Sequence, residues 1–189
     1  MKIAVTGGIG AGKSEVMKII GEAGYETISA DEINARLLQS DDYVKKLQIL
    51  FPDAVKDGRV DKAALRGIVF NDGRELAKLN AVAHPAICAE IEKSSAENIF
   101  AEVPLLFESG MQDMFDKIIA VTAPVETRLK RVFERGGPDE ATARKIIGFQ
   151  ISDGGRLENA DYIIENDASV ERLRGQVDKI LKNIFSPSN

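Results

Sequence analysis

The first apolar stretch is short. Ile3, Ala4 and Val5 run through Thr6 into Gly7-Gly8-Ile9-Gly10-Ala11-Gly12. A buried strand followed by a glycine-rich turn is predicted. Over residues 13–23, Val16, Ile19, Ile20 and Ala23 recur at helical spacing, and Gly24 suits the position just past a helix end. Residues 25–29 read as a second strand, and a helix begins at Asp31 with Ile33, Leu37 and Leu38 on one side. From residue 41 to about 95 the apolar spacing is helical, as in Val44, Leu47, Leu50 and Phe51, and no strand is predicted. Asp57-Gly58 marks a turn, and Asp61 caps a helix carrying Leu65, Ile68 and Val69. A helix over 74–82 follows, with Pro85 opening the next. Strand signals return at 98–103, 117–122 and 162–166. Helices fit 126–135, 138–150 and 170–185, and the tail 186–189 reads as frayed.

Five short strands with intervening helices make this an α/β chain with a parallel sheet covered on both faces. The helical stretch between the second and third strands exceeds a simple crossover and reads as an inserted subdomain. The chain has 189 residues, enough for one domain with such an insertion. Aromatics make up 6% and Trp is absent, so an aliphatic core is expected. The net charge of -5 argues against general binding to a nucleic-acid backbone, which needs a basic face. It leaves room for a small anion held by local cations. The single cysteine, Cys88, and a start without a signal-peptide pattern favour a reducing, cytoplasmic setting. No apolar run approaches the roughly 20 residues of a membrane span.

Gly7-x-x-x-x-Gly12-Lys13-Ser14 is a Walker A phosphate loop. Its glycines let backbone N–H groups converge on phosphate oxygens, and the following helix aims its positive end at the same anion. Lys13 reaches the β- and γ-phosphates, and Ser14 offers a hydroxyl to Mg²⁺. Asp31 lies just past the second strand, at the edge where open α/β sheets bind ligands. It could orient or deprotonate an attacking hydroxyl, or simply cap the next helix. Glu102 ends the third strand, where an acid could help hold Mg²⁺ or merely face solvent. Arg128, Lys130, Arg131, Arg135, Arg144, Lys145 and Arg156 cluster late in the chain. They could form a phosphate-binding patch or a solvated helix face. Gly136-Gly137 would permit a hinged, water-excluding lid. His84, the only histidine, is more often a structural residue than a ligand in such a setting. The absence of a His/Cys cluster argues against a transition-metal site.

The order of these motifs resembles the dephospho-coenzyme A kinase family over residues 2–170. The resemblance rests on Thr6 to Ser14, Ala30-Asp31-Glu32-Ile33-Asn34-Ala35-Arg36 and Asp57-Gly58-Arg59-Val60-Asp61. It continues through Val69-Phe70, Leu79-Asn80-Ala81, His84-Pro85 and Val103-Pro104-Leu105-Leu106-Phe107-Glu108. Leu129-Lys130-Arg131, Arg135, Gln150, Arg156 and Ala160-Asp161-Tyr162-Ile163-Ile164 complete it. The resemblance implies a P-loop NTPase three-layer fold with a five-stranded parallel sheet. It implies one kinase domain, with a nucleotide-binding core over 1–30, 97–130 and 157–189. Residues 31–96 would form a helical subdomain on the coenzyme A side, and 131–156 a helical lid. The implied reaction is phosphorylation of the ribose 3′-hydroxyl of dephospho-coenzyme A by ATP with Mg²⁺, giving coenzyme A and ADP as the last step of that synthesis. Lys13, Asp31 and Arg131 would be catalytic. Gly8, Ile9, Gly10, Ala11, Gly12, Lys13, Ser14, Glu15, Arg135 and Asn166 would bind nucleotide. Asp31, Arg36, His84, Leu105, Phe107, Glu108, Arg131 and Arg156 would bind the acceptor, and Ser14 and Glu102 the metal. A monomer or weak homo-oligomer, without nucleic acid or membrane partners, is implied.

Three positions depart from the family pattern. Glu15 stands where Thr is usual, Ser29 replaces an Asp two residues before Asp31, and Glu102 stands where many relatives have Asp. From the residues alone, two further readings stay open. One is a related P-loop kinase acting on another small acceptor. The other is a nucleotide-dependent switch without an acceptor, although no Asn-Lys-x-Asp guanine-selecting motif is present.

Overall fold

The computed structural model describes residues 1–69 and 72–186, the side chain of Phe149 excepted. Phe70 and the tail beyond Ser186, both cited above, lie outside the described residues. The chain divides into two units, Met1–Thr27 with the chain from Ala96 on, and Ile28–Ser95.

The first unit is built on a five-stranded sheet. Its strands are β1 (Lys2–Gly7), β2 (Glu26–Ser29, whose last two residues are the first of the second unit), β5 (Ile99–Glu102), β6 (Lys117–Thr122) and β7 (Tyr162–Glu165). Their spatial order is β2-β5-β1-β6-β7. β1 runs parallel to β5 and β6, and β6 parallel to β7. The central strand carries Ile3, Ala4 and Val5, all fully buried. A strand covered on both faces reads as a continuous apolar run rather than an alternation, which is why the pattern was legible. Helices α1 (Lys13–Glu22), α6 (Val125–Glu134), α7 (Glu140–Phe149), α8 (Asp153–Glu158) and α9 (Val170–Phe185) belong to this unit. The six-residue α8 is absent from the periodicity reading because it is too short to show a period. Val16 and Ile20 of α1 and Leu173 and Val177 of α9 share one core with Ile3, Val5, Phe100, Ile119 and Ile164. Tyr25, Phe100 and Phe185 close its edge, with Tyr25 and Phe185 stacked at 4.9 Å between ring centroids.

α1 stops as its sequence predicts. Gly24 has φ +93°, Gly24 N donates to Gly21 O, and Tyr25 N donates to Ile20 O. This paired closure satisfies carbonyls that the helix end would leave open.

The second unit is mostly helical, with α2 (Ala30–Leu37), α3 (Asp41–Leu50), α4 (Lys62–Val69) and α5 (Gly73–Glu92). Its core holds Tyr43, Val44, Leu47, Phe51, Ala54, Val55, Leu65 and Val69. Asp61 caps α4 as expected, its Oδ1 accepting from Ala63 N and Ala64 N at 3.0 Å each. Two expectations are corrected. A small antiparallel hairpin, β3 (Val55–Lys56) and β4 (Arg59–Val60), stands where no strand was predicted. Asp57 and Gly58 turn it with φ 49° and 70°, both positive, as a two-residue hairpin turn requires. Strands of two residues are too short for an alternating pattern to register.

The second correction is α5. It runs unbroken through Pro85 instead of ending near residue 82. Proline inside a helix loses one hydrogen bond and crowds the carbonyl four residues earlier. Here Leu76, Leu79, Val82 and Ala86 pack on the unit's core, and Ile87 and Ile91 are buried further on. This one apolar stripe spans the proline, and its burial offsets the local cost.

Candidate active site

The loop between β1 and α1 forms the cradle. Ala11 N donates to Gly8 O at 3.1 Å, and Gly10 and Gly12 have φ +76° and +97°. Gly12 is the N-cap of α1, so the positive end of that helix opens at the loop. Lys13 is 9% exposed, and its ammonium donates to Gly7 O at 2.9 Å and Gly8 O at 3.3 Å. Ser14 is exposed and Glu15 half-buried in the first turn. Glu102 ends β5, level with Val5 of β1.

Four side chains from distant parts of the chain grip the loop. Arg128 Nε donates to Ile9 O at 3.0 Å, and Gln150 Oε1 accepts from Ile9 N at 3.0 Å. Asn166 Nδ2 donates to Ala11 O at 2.9 Å. Arg131 reaches the same place, with Nη2 donating to Asn166 O at 3.0 Å and Nη1 to Ala11 O at 3.5 Å. A Cβ on Gly12 would lie 2.0 Å from Asn166 Nδ2, so packing as well as backbone geometry demands glycine there.

The late cationic cluster does not form a single patch. Arg128 and Arg156 are buried, each with a 2% exposed side chain. They share Asp153, which Arg128 Nη1 meets at 3.1 and 3.0 Å and Arg156 Nη1 at 2.9 Å. Arg144 is exposed on α7 and pairs with Glu126 and Glu140. Arg135 is exposed at the end of α6. Sequence spacing put Arg128, Arg131 and Arg135 near one face, but depth is set by what packs over each one.

The segment after β5 presents Leu105 exposed, Leu106 fully buried, and Phe107 and Glu108 half-buried. Glu108 Oε1 accepts from Ile151 N at 2.8 Å and lies 3.6 Å from Arg156 Nη2. Burial pulls the Arg156 guanidinium below its usual pKa, while Glu108 and Asp153 pull it back up. Gln150 carried part of the resemblance without a role, Arg128 stood only among the late cations with no partner assigned, and Asp153 was missed. The only sequence signal was the position of Arg128 one helical turn before Arg131.

In the second unit, Asp31 is exposed in the first turn of α2 and Arg36 is exposed in its last turn. Ser29, not Asp31, is the N-cap, accepting from Glu32 N at 3.3 Å. The capping alternative for Asp31 therefore falls away. His84 sits inside α5, half-buried, where burial lowers its pKa below the ordinary 6.5. As the only histidine, it should give a single clean imidazole titration by NMR, with a midpoint below 6.5. Between that midpoint and 6.5 the unfolded chain binds more protons than the folded one. This residue's contribution to stability should therefore rise with pH up to about 6.5 and stay level above it. A midpoint at or above 6.5 would contradict the burial argument.

Among the described residues there is no group of three or more His, Cys, Asp or Glu side chains arranged to hold a metal. No helix there is long and apolar enough to cross a membrane.

A family model described as dephospho-CoA kinase matches residues 1–172. The dephospho-CoA kinase of Fusobacterium nucleatum subsp. nucleatum is 35% identical over 97% of this chain and 98% of its own length. A crystal structure of TT1252 from Thermus thermophilus superposes with a TM-score of 0.86 at 32% identity, covering 99% of this chain and 98% of its own. A dephospho-CoA kinase structure from Campylobacter jejuni gives 0.65 at 31% identity, covering 97% and 98%.

Proposed function

The chain belongs to the dephospho-CoA kinase family, and from that premise we propose how its residues carry out the transfer. The protein is a transferase that phosphorylates dephospho-coenzyme A with ATP, in coenzyme A biosynthesis. We place the transfer on the ribose 3′-hydroxyl, with coenzyme A and ADP as products. The observation that carries the site assignment is the braced loop, with a buried Lys13 ammonium already held across its carbonyls.

Loop amides of residues 8–15 and Lys13 hold the ATP phosphates, where the helix end and the ammonium offset their charge. Arg135 and Asn166 complete the nucleotide side. Asp31 accepts the proton of the 3′-hydroxyl as its oxygen bonds to the γ-phosphorus and the bond to the β-phosphate bridge oxygen breaks. Arg131 steadies negative charge on the transferring group. Arg36, His84, Leu105, Phe107, Glu108 and Arg156 hold the acceptor. The buried Arg156 Nε and Nη2 and Glu108 Oε2 lack hydrogen-bond partners, which supports a polar ligand there. Residues 31–96 serve the acceptor side, and 131–156 act as a lid that keeps water from the γ-phosphate.

Ser14 and Glu102 are the residues that would hold Mg²⁺. Their hard oxygens suit this ion, which takes few protein ligands and completes its shell with phosphates and water. When bound, the ion neutralises charge on the β- and γ-phosphates. The enzyme works as a monomer or weak homo-oligomer in the cytoplasm, without nucleic acid or membrane.

A coupled ADP-release assay with MgATP and dephospho-coenzyme A, followed by mass spectrometry, tests this. Coenzyme A is the expected product, with fragmentation placing the new phosphate at the 3′ position. ATP binding without transfer to this acceptor would overturn the proposal and return the question to other small hydroxyl acceptors.

A further inference from the structure

We propose that Arg128 is a positioning residue for the ATP loop, anchored by Asp153. The proposal rests on reading residues 7–14 as the ATP site. Arg128 meets the loop at several points. Its Nε donates to Ile9 O at 3.0 Å. A Cβ on Gly8 would lie 2.4 Å from its guanidinium, and one on Gly10 would lie 2.5 Å from its backbone carbonyl oxygen. The two glycines thus leave room for this arginine as well as for phosphate. Gln150 holds the N–H of Ile9, so both polar groups of that residue are bonded from outside the loop.

Burying a guanidinium is costly unless its donors are well used. A solvated helix face would incur no such cost. Here the charge is met by both oxygens of Asp153, at 3.1 and 3.0 Å. Asp153 also accepts from Arg156 Nη1 at 2.9 Å, and Arg156 lies 3.6 Å from Glu108. A polar chain therefore runs from Ile9 through Arg128, Asp153 and Arg156 to Glu108, at the end of the segment after β5. Arg128 acts through the Ile9 carbonyl and not on the phosphates. Its contribution is to hold the loop in the shape that binds them, which saves ordering on binding.

The test is calorimetric binding of MgATP without acceptor, together with steady-state kinetics, on wild type, R128M, R128K and D153N. Arg128→Met keeps the buried stem and removes the donors. It should weaken MgATP binding and raise its KM by about tenfold, the scale of one lost charge-assisted hydrogen bond. Saturating kcat and the KM for dephospho-coenzyme A should stay within about twofold. Arg128→Lys has one compact donor group, cannot span both partners as a fork does, and should fall between. Asp153→Asn frees the anchor and should shift MgATP affinity in the same direction by a smaller factor, and it stands in if R128M does not fold. A folded R128M that binds MgATP like wild type overturns the proposal. So does an unfolded R128M beside an unaltered D153N, which would mark a purely structural residue. Lys13→Met decides the ATP-site reading separately: MgATP binding unchanged in that variant too would remove residues 7–14 as the ATP site.

Discussion

Asp31→Asn is expected to lower kcat by about 10²- to 10⁴-fold, the usual contribution of a positioned general base. Asn keeps the size and shape of the side chain but cannot take the hydroxyl proton. The fold should tolerate the change. Asp31 is exposed, and the N-cap of α2 is supplied by Ser29. The lost charge in the first helical turn costs about 0.3–1 kcal/mol at most, and Glu32 keeps a second acid there. MgATP binding should be unchanged, since the Lys13 cradle is untouched. Glu32→Gln, which removes a charge from the same turn, should leave turnover near wild type. Thermal melting and single-turnover transfer on the three proteins distinguish the outcomes. If D31N turns over within about threefold of wild type, Asp31 is not the base.

Lys13→Met should reduce kcat/KM for MgATP by about 10²- to 10³-fold, the scale of losing one preorganised charge-stabilising donor. Met preserves most of the buried stem, so the loop should keep its packing against Val16 and its neighbours. What disappears is the ammonium that now bridges Gly7 O and Gly8 O. Lys13→Arg should not restore activity. A planar fork cannot take the place of a compact ammonium 2.9 and 3.3 Å from two loop carbonyls. Nucleotide titration and initial rates measure both variants. A K13M enzyme within about tenfold of wild type would remove Lys13 from the catalytic set.

Much of the fold was legible because its signals are local. Ile3-Ala4-Val5 reads as a buried strand from composition alone, and residues 117–122 and 170–185 appear with the predicted ends. Gly24 and Asp61 ended and began helices because their geometry and side-chain chemistry act within one turn. The phosphate loop was equally plain, since its glycines, Lys13 and Ser14 are contiguous. What stayed hidden depended on partners far along the chain. Nothing near Arg128 says that it lies buried beneath Gly8 and Gly10, or that Asp153 waits 25 residues later. Nothing near Pro85 says that packing on both sides carries the helix through it.

The strands of the sheet, the phosphate loop and the family resemblance were therefore readable from the amino-acid order alone, because each is written in neighbouring residues. Which late arginines are buried, and what holds the two polar groups of Ile9, emerge only once the chain is folded. Both have the same cause. A side chain's burial and hydrogen-bond partners are set by every segment that packs against it, and most of those segments lie elsewhere in the chain.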